Sequence, residues 1–208
     1  MVDEQLIPRG IDDPRVLEVF RKVERHRFVP EDMNNISYAD YPLPVGEGQT
    51  ISQPFMVALM TQSLSLNGDE RVLEIGTGTG YQAAILAELA NEVYSVERFE
   101  KLTDKAVALL SLLGYANIRI KTGDGTLGWK EFAPFDRIIV TAGAPSVPKT
   151  LISQLADNGR MVIPVGGEFG QVLTLVEKRN GKVFEEEICG CVFVPLVGKE
   201  GWIETKGS

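Results

Sequence analysis

The stretch from Arg71 to Ala83, RVLEIGTGTGYQA, constrains the fold of this chain more than any other segment. It begins with apolar residues typical of a buried strand, passes through glycines at alternate positions, and continues into a helical pattern. A glycine-rich turn between a strand and a helix lets a ligand approach bare backbone at the mouth of a parallel sheet. The segment therefore predicts an α/β protein that binds a ligand at this turn.

The spacing of the glycines narrows the class of ligand. The dinucleotide fingerprint G-x-G-x-x-G has a third glycine where this chain has Tyr81. The pattern here is E-x-G-x-G-x-G, which resembles motif I of the S-adenosylmethionine-dependent methyltransferases. In that family the loop passes the methionine part of the cofactor, so the resemblance implies S-adenosylmethionine as cofactor and S-adenosylhomocysteine as product. The loop residues predicted to bind it are Glu74, Gly76, Thr77, Gly78 and Gly80.

Strand-like and helix-like patterns alternate from residue 71 onward, which predicts a parallel sheet with helices on both faces. Two further strand-like runs flank Asn180-Gly181, a dipeptide typical of a hairpin turn. We expect a doubly wound α/β fold whose mostly parallel sheet ends in a C-terminal antiparallel hairpin, as in Rossmann-like class I methyltransferases. The predicted strands are 71–75, 92–96, 117–121, 135–141, 159–165, 171–178 and 182–194, and the predicted helices lie near 80–90, 99–113 and 148–157.

The first 66 residues have a different pattern. Asp13 followed by Pro14 predicts a capped helix start, and a second helix is predicted from Gln53 to Leu66. Between them, residues 28–52 are rich in proline and glycine, but their aromatic and apolar content predicts an ordered loop. The length of 208 residues suits one domain.

Acidic residues fall at the C-terminal ends of the first three predicted parallel strands, where ligands bind in open α/β sheets. Glu97 can accept hydrogen bonds from ribose hydroxyls, and Asp124 suits a donor such as an adenine amino group. Gly125 would let a base lie close to the backbone. Each carboxylate taken alone could equally be a helix cap or a solvated charge, but the three in register with the glycine loop predict a cofactor site.

The composition excludes several other classes of function. A net charge of −8 is unsuited to gripping nucleic acid phosphates, and no apolar run is long enough to span a membrane. The N-terminus lacks a secretory pattern, so we expect a cytoplasmic protein. Cys189 and Cys191 are interpreted as packed, reduced residues, and with His26 as the single histidine we expect no metal site.

Residues 38–60, YADYPLPVGEGQTISQPFMVALM, form the second unusual segment. They resemble, nearly residue for residue, the signature of the protein-L-isoaspartate O-methyltransferase family, and the resemblance covers essentially the whole chain. It implies 1–208 as a single domain, with an acceptor-binding part at 1–66 and a cofactor-binding core at 67–208. The other matching segments are RHRFVP at 25–30, GDGTLGW at 123–129, FDRIIVTAGAP at 135–145, NGRMVIPVG at 158–166 and FVPLVGKEGW at 193–202.

The resemblance implies that a free carboxylate of an L-isoaspartyl residue is methylated, that damaged proteins and peptides are the substrates, and that the protein is a monomer. Ser52 matches the serine that the family treats as its active-site residue. The alternative is that Ser52 only caps the helix that begins near Pro54. A carboxylate is ionised at neutral pH and needs no general base, so Ser52 would orient it by a hydrogen bond. The residues predicted to bind the acceptor are Gln49, Thr50, Ile51 and Ser52.

Three single positions have separate interpretations. His26 follows an amphipathic helix and is interpreted as structural. Asp40 matches the family pattern, where it could simply hold the loop by hydrogen bonds to backbone. Val192 departs from the family, in which many members have arginine at this position, so we expect the peptide preference to differ while the core of the site does not.

Three other functions compete with this interpretation. A methyltransferase acting on a nucleobase is disfavoured by the negative charge and by the lack of a basic, aromatic-rich tract; a small-molecule acceptor stays open. A nicotinamide-dependent oxidoreductase is disfavoured by Tyr81 in place of the third glycine. A binding module without turnover is disfavoured by the intact Ser52 and glycines.

Overall fold

The computed structural model of the chain describes residues 1–203, so the last five residues of the predicted core at 67–208 lie outside the described part. The helices are α1 (Pro14–Lys22), α2 (Pro54–Ser63), α3 (Tyr81–Ala87), α4 (Glu100–Leu112) and α5 (Lys149–Gln154). The strands are β1 (Leu43–Gly46), β2 (Gln49–Ile51), β3 (Arg71–Ile75), β4 (Glu92–Glu97), β5 (Ile118–Thr122), β6 (Phe135–Val140), β7 (Leu155–Gly167), β8 (Gly170–Arg179) and β9 (Lys182–Cys191).

Strands β3 to β9 form one seven-stranded sheet in the order β5-β4-β3-β6-β7-β8-β9. The pairs from β5 to β7 are parallel, and β7-β8 and β8-β9 are antiparallel. The last two strands turn at Asn180 and Gly181, both with positive φ, as an Asn-Gly hairpin requires. The predicted fold class, a mostly parallel sheet with a C-terminal antiparallel hairpin, is confirmed.

Alternate residues of each central strand belong to two different cores. Val72 packs into a cluster with residues of α1 to α4, whereas Leu73 packs into a second cluster with residues of α5. Because successive strand residues point to opposite faces, the two clusters lie on opposite sides of the sheet. Strands buried on both faces have near-continuous apolar runs, which is why the sequence predicted them well.

The prediction was wrong at the end of the helix assigned to 148–157. Helix α5 ends at Gln154, and Leu155 instead begins β7 by pairing with Phe135. Leu155 is buried in the core, so tertiary packing outweighs its local helical preference. The last predicted strand, 182–194, was also too long, because residues 192–194 leave the ladder after Cys191.

The irregular segment 28–52 contains a hairpin that the sequence analysis missed. Strands β1 and β2 pair in antiparallel fashion across a tight turn at Glu47 and Gly48, both with positive φ. The prediction that Asp40 holds this loop by backbone hydrogen bonds is confirmed, since its Oδ1 accepts from the Phe55 amide at 3.0 Å. The predicted Asp13 cap of α1 is also confirmed.

Candidate functional site

A cavity opens at the C-terminal ends of β3 and β4 and continues toward β2. We call it the strand-end cavity. Its wall combines the glycine loop with the acceptor segment and with the stretch that follows β9. Among the described residues, no helix combines the length and apolar content needed to span a bilayer, and no group of three or more metal-ligating side chains occurs. The residues that line it include Gln49, Thr50, Ile51, Ser52, Ile75, Gly76, Thr77, Gly78, Tyr81, Val96, Glu97, Arg98, Gly125, Thr141, Val194, Leu196 and Val197.

The three glycines of the loop have different structural roles. A Cβ on Gly76 would lie 2.3 Å from Thr141 Oγ1, so this glycine allows the loop to approach the end of β6. Gly80 approaches Leu110 and Ala106 of α4. Gly78 has a φ of +54°, and a Cβ there would meet no atom within 4 Å. Gly78 is therefore the glycine whose bare backbone borders the open cavity.

Glu97 ends β4 and is held at the cavity wall. Its Oε2 accepts a hydrogen bond from the Gly78 amide at 2.9 Å, and its Oε1 accepts from the Phe99 amide at 3.0 Å. The side chain is buried apart from the face it gives to the cavity. The carboxylate thus holds the middle of the glycine loop and offers its remaining lone pairs to hydroxyl donors.

Glu74 lies behind the glycine loop and is not part of the cavity wall. It is fully buried, and its Oε2 accepts a hydrogen bond from the Ser95 hydroxyl, which lies 2.5 Å from the hydroxyl of Thr77. Burial is the main cause that raises the pKa of Glu74 to about 8, and the nearby Glu97 carboxylate also raises it. Glu74 is therefore mostly protonated at neutral pH and supports Thr77 through Ser95.

Asp124 also points away from the cavity, whereas its neighbour Gly125 lies on the wall. Asp124 Oδ1 accepts hydrogen bonds from the amide and hydroxyl of Thr126, and Oδ2 accepts from the Lys199 amide at 2.8 Å. A Cβ on Gly125 would lie 2.4 Å from Ile75 Cγ2, so a glycine is needed where the loop crosses β3. The direct cofactor contacts predicted for Glu74 and Asp124 stay predictions.

All four residues predicted to bind the acceptor, at positions 49–52, line the strand-end cavity. Ser52 and Thr50 also line an adjoining groove of about 260 Å³, together with Thr141 and Val194. The Ser52 hydroxyl makes no hydrogen bond to another described residue. The alternative that Ser52 caps α2 is wrong, because Gln53 occupies the cap position and the Phe55 amide is bonded by Asp40.

The buried side chain of Arg25 holds the backbone at Ser52, and the sequence pattern had not indicated this role. Arg25 is fully buried and donates to the carbonyls of Ser37 and Ser52, each at 2.7 Å. Its guanidinium also lies 4.9 Å from the ring centre of Tyr81, which lines the cavity. Burial lowers the pKa of Arg25, although an arginine side chain stays protonated at physiological pH. Arg25 therefore ties the acceptor loop to the first turn of the helix after the glycines.

Two other parts of the wall were missed. Thr141 directly follows β6. The strand-end rule was applied to acidic residues alone, and applying it to hydroxyl groups as well would have selected Thr141. Leu196 and Val197 reach the cavity from the chain end, and no local pattern indicates that return. His26, interpreted as structural, lies outside the cavity wall with its Nδ1 2.8 Å from the Tyr38 hydroxyl.

The wall fits the cofactor that the glycine pattern implies. Bare backbone at Gly78 and the Glu97 carboxylate suit a positively charged sulfonium and ribose hydroxyls, since a carboxylate attracts a cation and accepts from hydroxyls. The apolar side chains of Ile75, Val96 and Leu196 suit a flat adenine ring. The cavity can thus hold a nucleoside with a charged tail beside the adjoining groove.

Comparison with known proteins gives a consistent result. The sequence model of the family described as protein-L-isoaspartate(D-aspartate) O-methyltransferase matches residues 1–201. A protein-L-isoaspartate O-methyltransferase of Geobacter metallireducens is 59% identical over 97% of this chain and 94% of its own length. One of Trichlorobacter lovleyi is 56% identical with the same coverage of both chains.

Solved structures agree in fold. A protein-L-isoaspartate O-methyltransferase superposes with a TM-score of 0.85 at 30% identity, covering 97% of this chain and 67% of that one. A Plasmodium falciparum protein described by the same name, in complex with S-adenosyl-L-homocysteine, superposes with a TM-score of 0.82 at 29% identity. That match covers 94% of this chain and 96% of the other.

Proposed function

The chain belongs to the protein-L-isoaspartate(D-aspartate) O-methyltransferase family, and we propose that it methylates the free carboxylate of L-isoaspartyl residues in damaged proteins and peptides. S-adenosylmethionine is the methyl donor and S-adenosylhomocysteine the product. A backbone amide nitrogen then attacks the ester carbonyl without further catalysis and displaces methanol, which gives a succinimide whose hydrolysis returns some normal aspartate. The enzyme is therefore a carboxyl methyltransferase that initiates protein repair.

The observation that supports this function most is the junction of the strand-end cavity with the adjoining groove. Thr50, Ser52 and Thr141 belong to both walls. A cofactor in the cavity and an acceptor in the groove would meet at these side chains. Transfer between two bound molecules requires such a meeting point, because the attacking oxygen, the methyl carbon and the sulfur must align.

The chemistry needs few groups from the protein. When bound, S-adenosylmethionine supplies an electrophilic methyl group on a positively charged sulfur. The acceptor carboxylate is already ionised at neutral pH, so no side chain has to remove a proton. Ser52 donates a hydrogen bond from its otherwise unengaged hydroxyl and orients the carboxylate, and the surrounding apolar wall excludes water.

We assign the cofactor contacts to the glycine loop and to the neighbouring strand ends. Glu97 accepts hydrogen bonds from the ribose hydroxyls, and the backbone of Gly125 borders the adenine ring. Glu74 and Asp124 support these contacts from behind the wall, through Thr77 and through the chain near Lys199 respectively. The proposed cofactor-contacting residues are Gly76, Thr77, Gly78, Glu97 and Gly125, while Gly80 supports the loop by packing on α4. The proposed acceptor-contacting residues are Thr50 and Ser52, which line both walls, with Gln49 and Ile51 on the cavity side of the junction.

The same proposal covers organisation and location. The protein acts as one domain and as a monomer, with proteins and not nucleic acids as substrates. The net charge of −8 supports the proposal that nucleic acids are not substrates, because a protein that binds a phosphate backbone requires positive charge. The free thiols of Cys189 and Cys191 support a reducing, cytoplasmic location.

Methyl transfer to a matched peptide pair tests the function. Radiolabelled S-adenosylmethionine is incubated with the protein and a peptide that contains either L-isoaspartate or normal aspartate at one position. Label on the isoaspartyl peptide alone, released by mild base as expected of an ester, is the predicted result. No label on either peptide, with cofactor binding intact by calorimetry, would contradict the proposed acceptor and leave the cofactor assignment standing.

A further inference from the structure

The adjoining groove has a wall of unusual composition for a site that receives part of a peptide. None of the described residues that line the groove is Asp, Glu, Lys or Arg, and most of the lining side chains are apolar or small. Pro42 and Met56 come from the acceptor segment and α2, and Val192, Phe193 and Val194 come from the stretch after β9. The groove continues into the strand-end cavity through Ser52 and Thr141, so whatever fills it lies beside the reacting carboxylate.

Val192 is strongly exposed at this wall. The residue is 76% accessible, although its neighbour Phe193 is buried at 8%. The chain is fixed here, because the Phe193 amide donates to Gln171 Oε1 at 2.8 Å and Gln171 Nε2 donates to the Gly167 carbonyl at 2.7 Å. The buried Gln171 thus holds the segment after β9 in a position that presents Val192 at the mouth of the groove.

We propose that this groove is a subsite for an apolar side chain next to the isoaspartyl residue, and that Val192 sets this preference. The inference rests on the proposed function, since the occupant is the acceptor peptide itself. A charged flanking side chain would lose water in the groove without gaining a partner, whereas an apolar one would bury surface against Val192 and Met56. The enzyme thus selects damaged sites by their neighbours as well as by the isoaspartyl linkage.

Kinetics on a peptide series tests the proposal. The peptides share one L-isoaspartate and carry leucine, lysine or glutamate at the position before or after it. At one of these two positions we expect kcat/KM for the leucine peptide to exceed the charged ones by about fivefold, the size expected for a half-buried aliphatic side chain.

Two variants of opposite charge make the test specific to Val192. Val192→Asp should favour lysine over glutamate at that position, and Val192→Arg should favour glutamate over lysine, each by about threefold as expected for a partly exposed ion pair. Both variants should lose the leucine preference. The matched control is Val183→Arg, a change at a 38% exposed valine at the opposite end of β9. It should leave every ratio as in the wild type.

Two results would overturn the inference. One is equal kcat/KM for the three side chains at both positions, and the other is an unchanged leucine preference in both Val192 variants with cofactor affinity intact. These outcomes differ from failure of the proposed function, in which no isoaspartyl peptide of the series would be methylated. Because Val192 is exposed, both variants should fold as the wild type does, and calorimetric binding of S-adenosylhomocysteine checks this directly.

Discussion

The two sides of the site are built by different means. On the cofactor side, β3 and β4 are buried parallel strands, and the glycine loop is positioned by their backbone ladders and by amides bonded to Glu97. On the acceptor side, short 3₁₀ turns and the small β1–β2 hairpin precede α2, and side chains hold them together. Arg25 and Asp40 bond backbone groups there that no ladder satisfies.

This difference implies different responses to mutation. A sheet keeps its backbone ladder when one side chain is lost, but a loop built on it does not tolerate a backbone that can no longer adopt its conformation. A site supported by side chains depends on each of them, because a lost donor leaves a buried carbonyl unpaired. The cofactor side should therefore be most sensitive at its glycines and the acceptor side at its polar anchors.

The largest effect is expected from Gly78→Val on the cofactor side. The valine would adopt a φ of +54° that a β-branched residue disfavours, and its side chain would project into the cavity. We expect cofactor affinity to fall by about a thousandfold, because the bulk and the strain act together. Calorimetric titration with S-adenosylhomocysteine measures the loss.

Gly114→Val provides the control for that experiment. Gly114 has a φ of +84° and open space at its Cβ, but it follows α4 outside the cavity wall. It should cost a similar amount of stability and leave cofactor affinity unchanged. Equal loss of binding in both variants would mean that strain alone acts, and the contrast between the two sides would fail.

The same contrast explains how far the sequence could predict this molecule. Local patterns predict buried strands such as Val72 to Ile75, and local turn chemistry predicts the Asn180-Gly181 turn. The strands of the core sheet were therefore predicted with errors only at the ends of individual strands. The β1–β2 hairpin was missed because its strands have four and three residues, too few to show an alternating pattern.

The direction in which a side chain points was the second feature that the sequence pattern could not predict. Strand-end spacing selected Glu74, Glu97 and Asp124 alike, yet only Glu97 lines the cavity. Glu74 is an interior strand residue buried in the sheet, and Asp124 turns toward the amides of Thr126 and Lys199. Both orientations depend on tertiary partners, as does the return of Leu196 to the wall.

The buried titratable groups of the two sides differ in charge at neutral pH. The pKa of Glu74 is raised to about 8, whereas Arg25 stays charged. A carboxyl with a raised pKa stabilises the fold fully below its unfolded pKa of about 4.5, and this contribution is lost as the pH rises through 8. Glu74→Gln should remove this dependence and make the protein more stable than the wild type at pH 9, by about 5 kcal/mol for a pKa raised from 4.5 to about 8.

Urea unfolding of both proteins between pH 5 and pH 9 measures the effect. The two free energies of unfolding should diverge as the pH rises, with the wild type falling relative to Glu74→Gln. If the two free energies of unfolding instead run parallel across this range, Glu74 is ionised throughout. The two sides would then no longer differ in whether their buried titratable group is charged.

Arg25→Lys addresses the acceptor side. A lysine can reach one of the two carbonyls that Arg25 bonds, and it loses the planar contact with Tyr81. We expect a loss of about 2 kcal/mol in stability and a higher KM for the acceptor peptide, with cofactor affinity nearly intact. Arg27→Lys is the control, because Arg27 is exposed and has only a 3.8 Å ion pair with Glu24. Weakened cofactor binding with unchanged peptide KM would reverse the assignment of Arg25 to the acceptor side.

Ser52→Ala should give the smallest effect and the most specific one. The variant removes the hydroxyl that orients the carboxylate, so we expect kcat to fall about tenfold, the worth of one hydrogen bond to a charged group. Stability and cofactor affinity should stay unchanged, because the Ser52 hydroxyl bonds no described residue and does not cap α2. The control is Ser153→Ala, which removes an exposed hydroxyl bonded to the Thr150 carbonyl far from the glycine loop in sequence. Full activity of Ser52→Ala would mean that backbone groups of residues 49–52, and not the Ser52 hydroxyl, orient the acceptor carboxylate. The acceptor side would then position its ligand through the main chain, as the glycine loop does on the cofactor side.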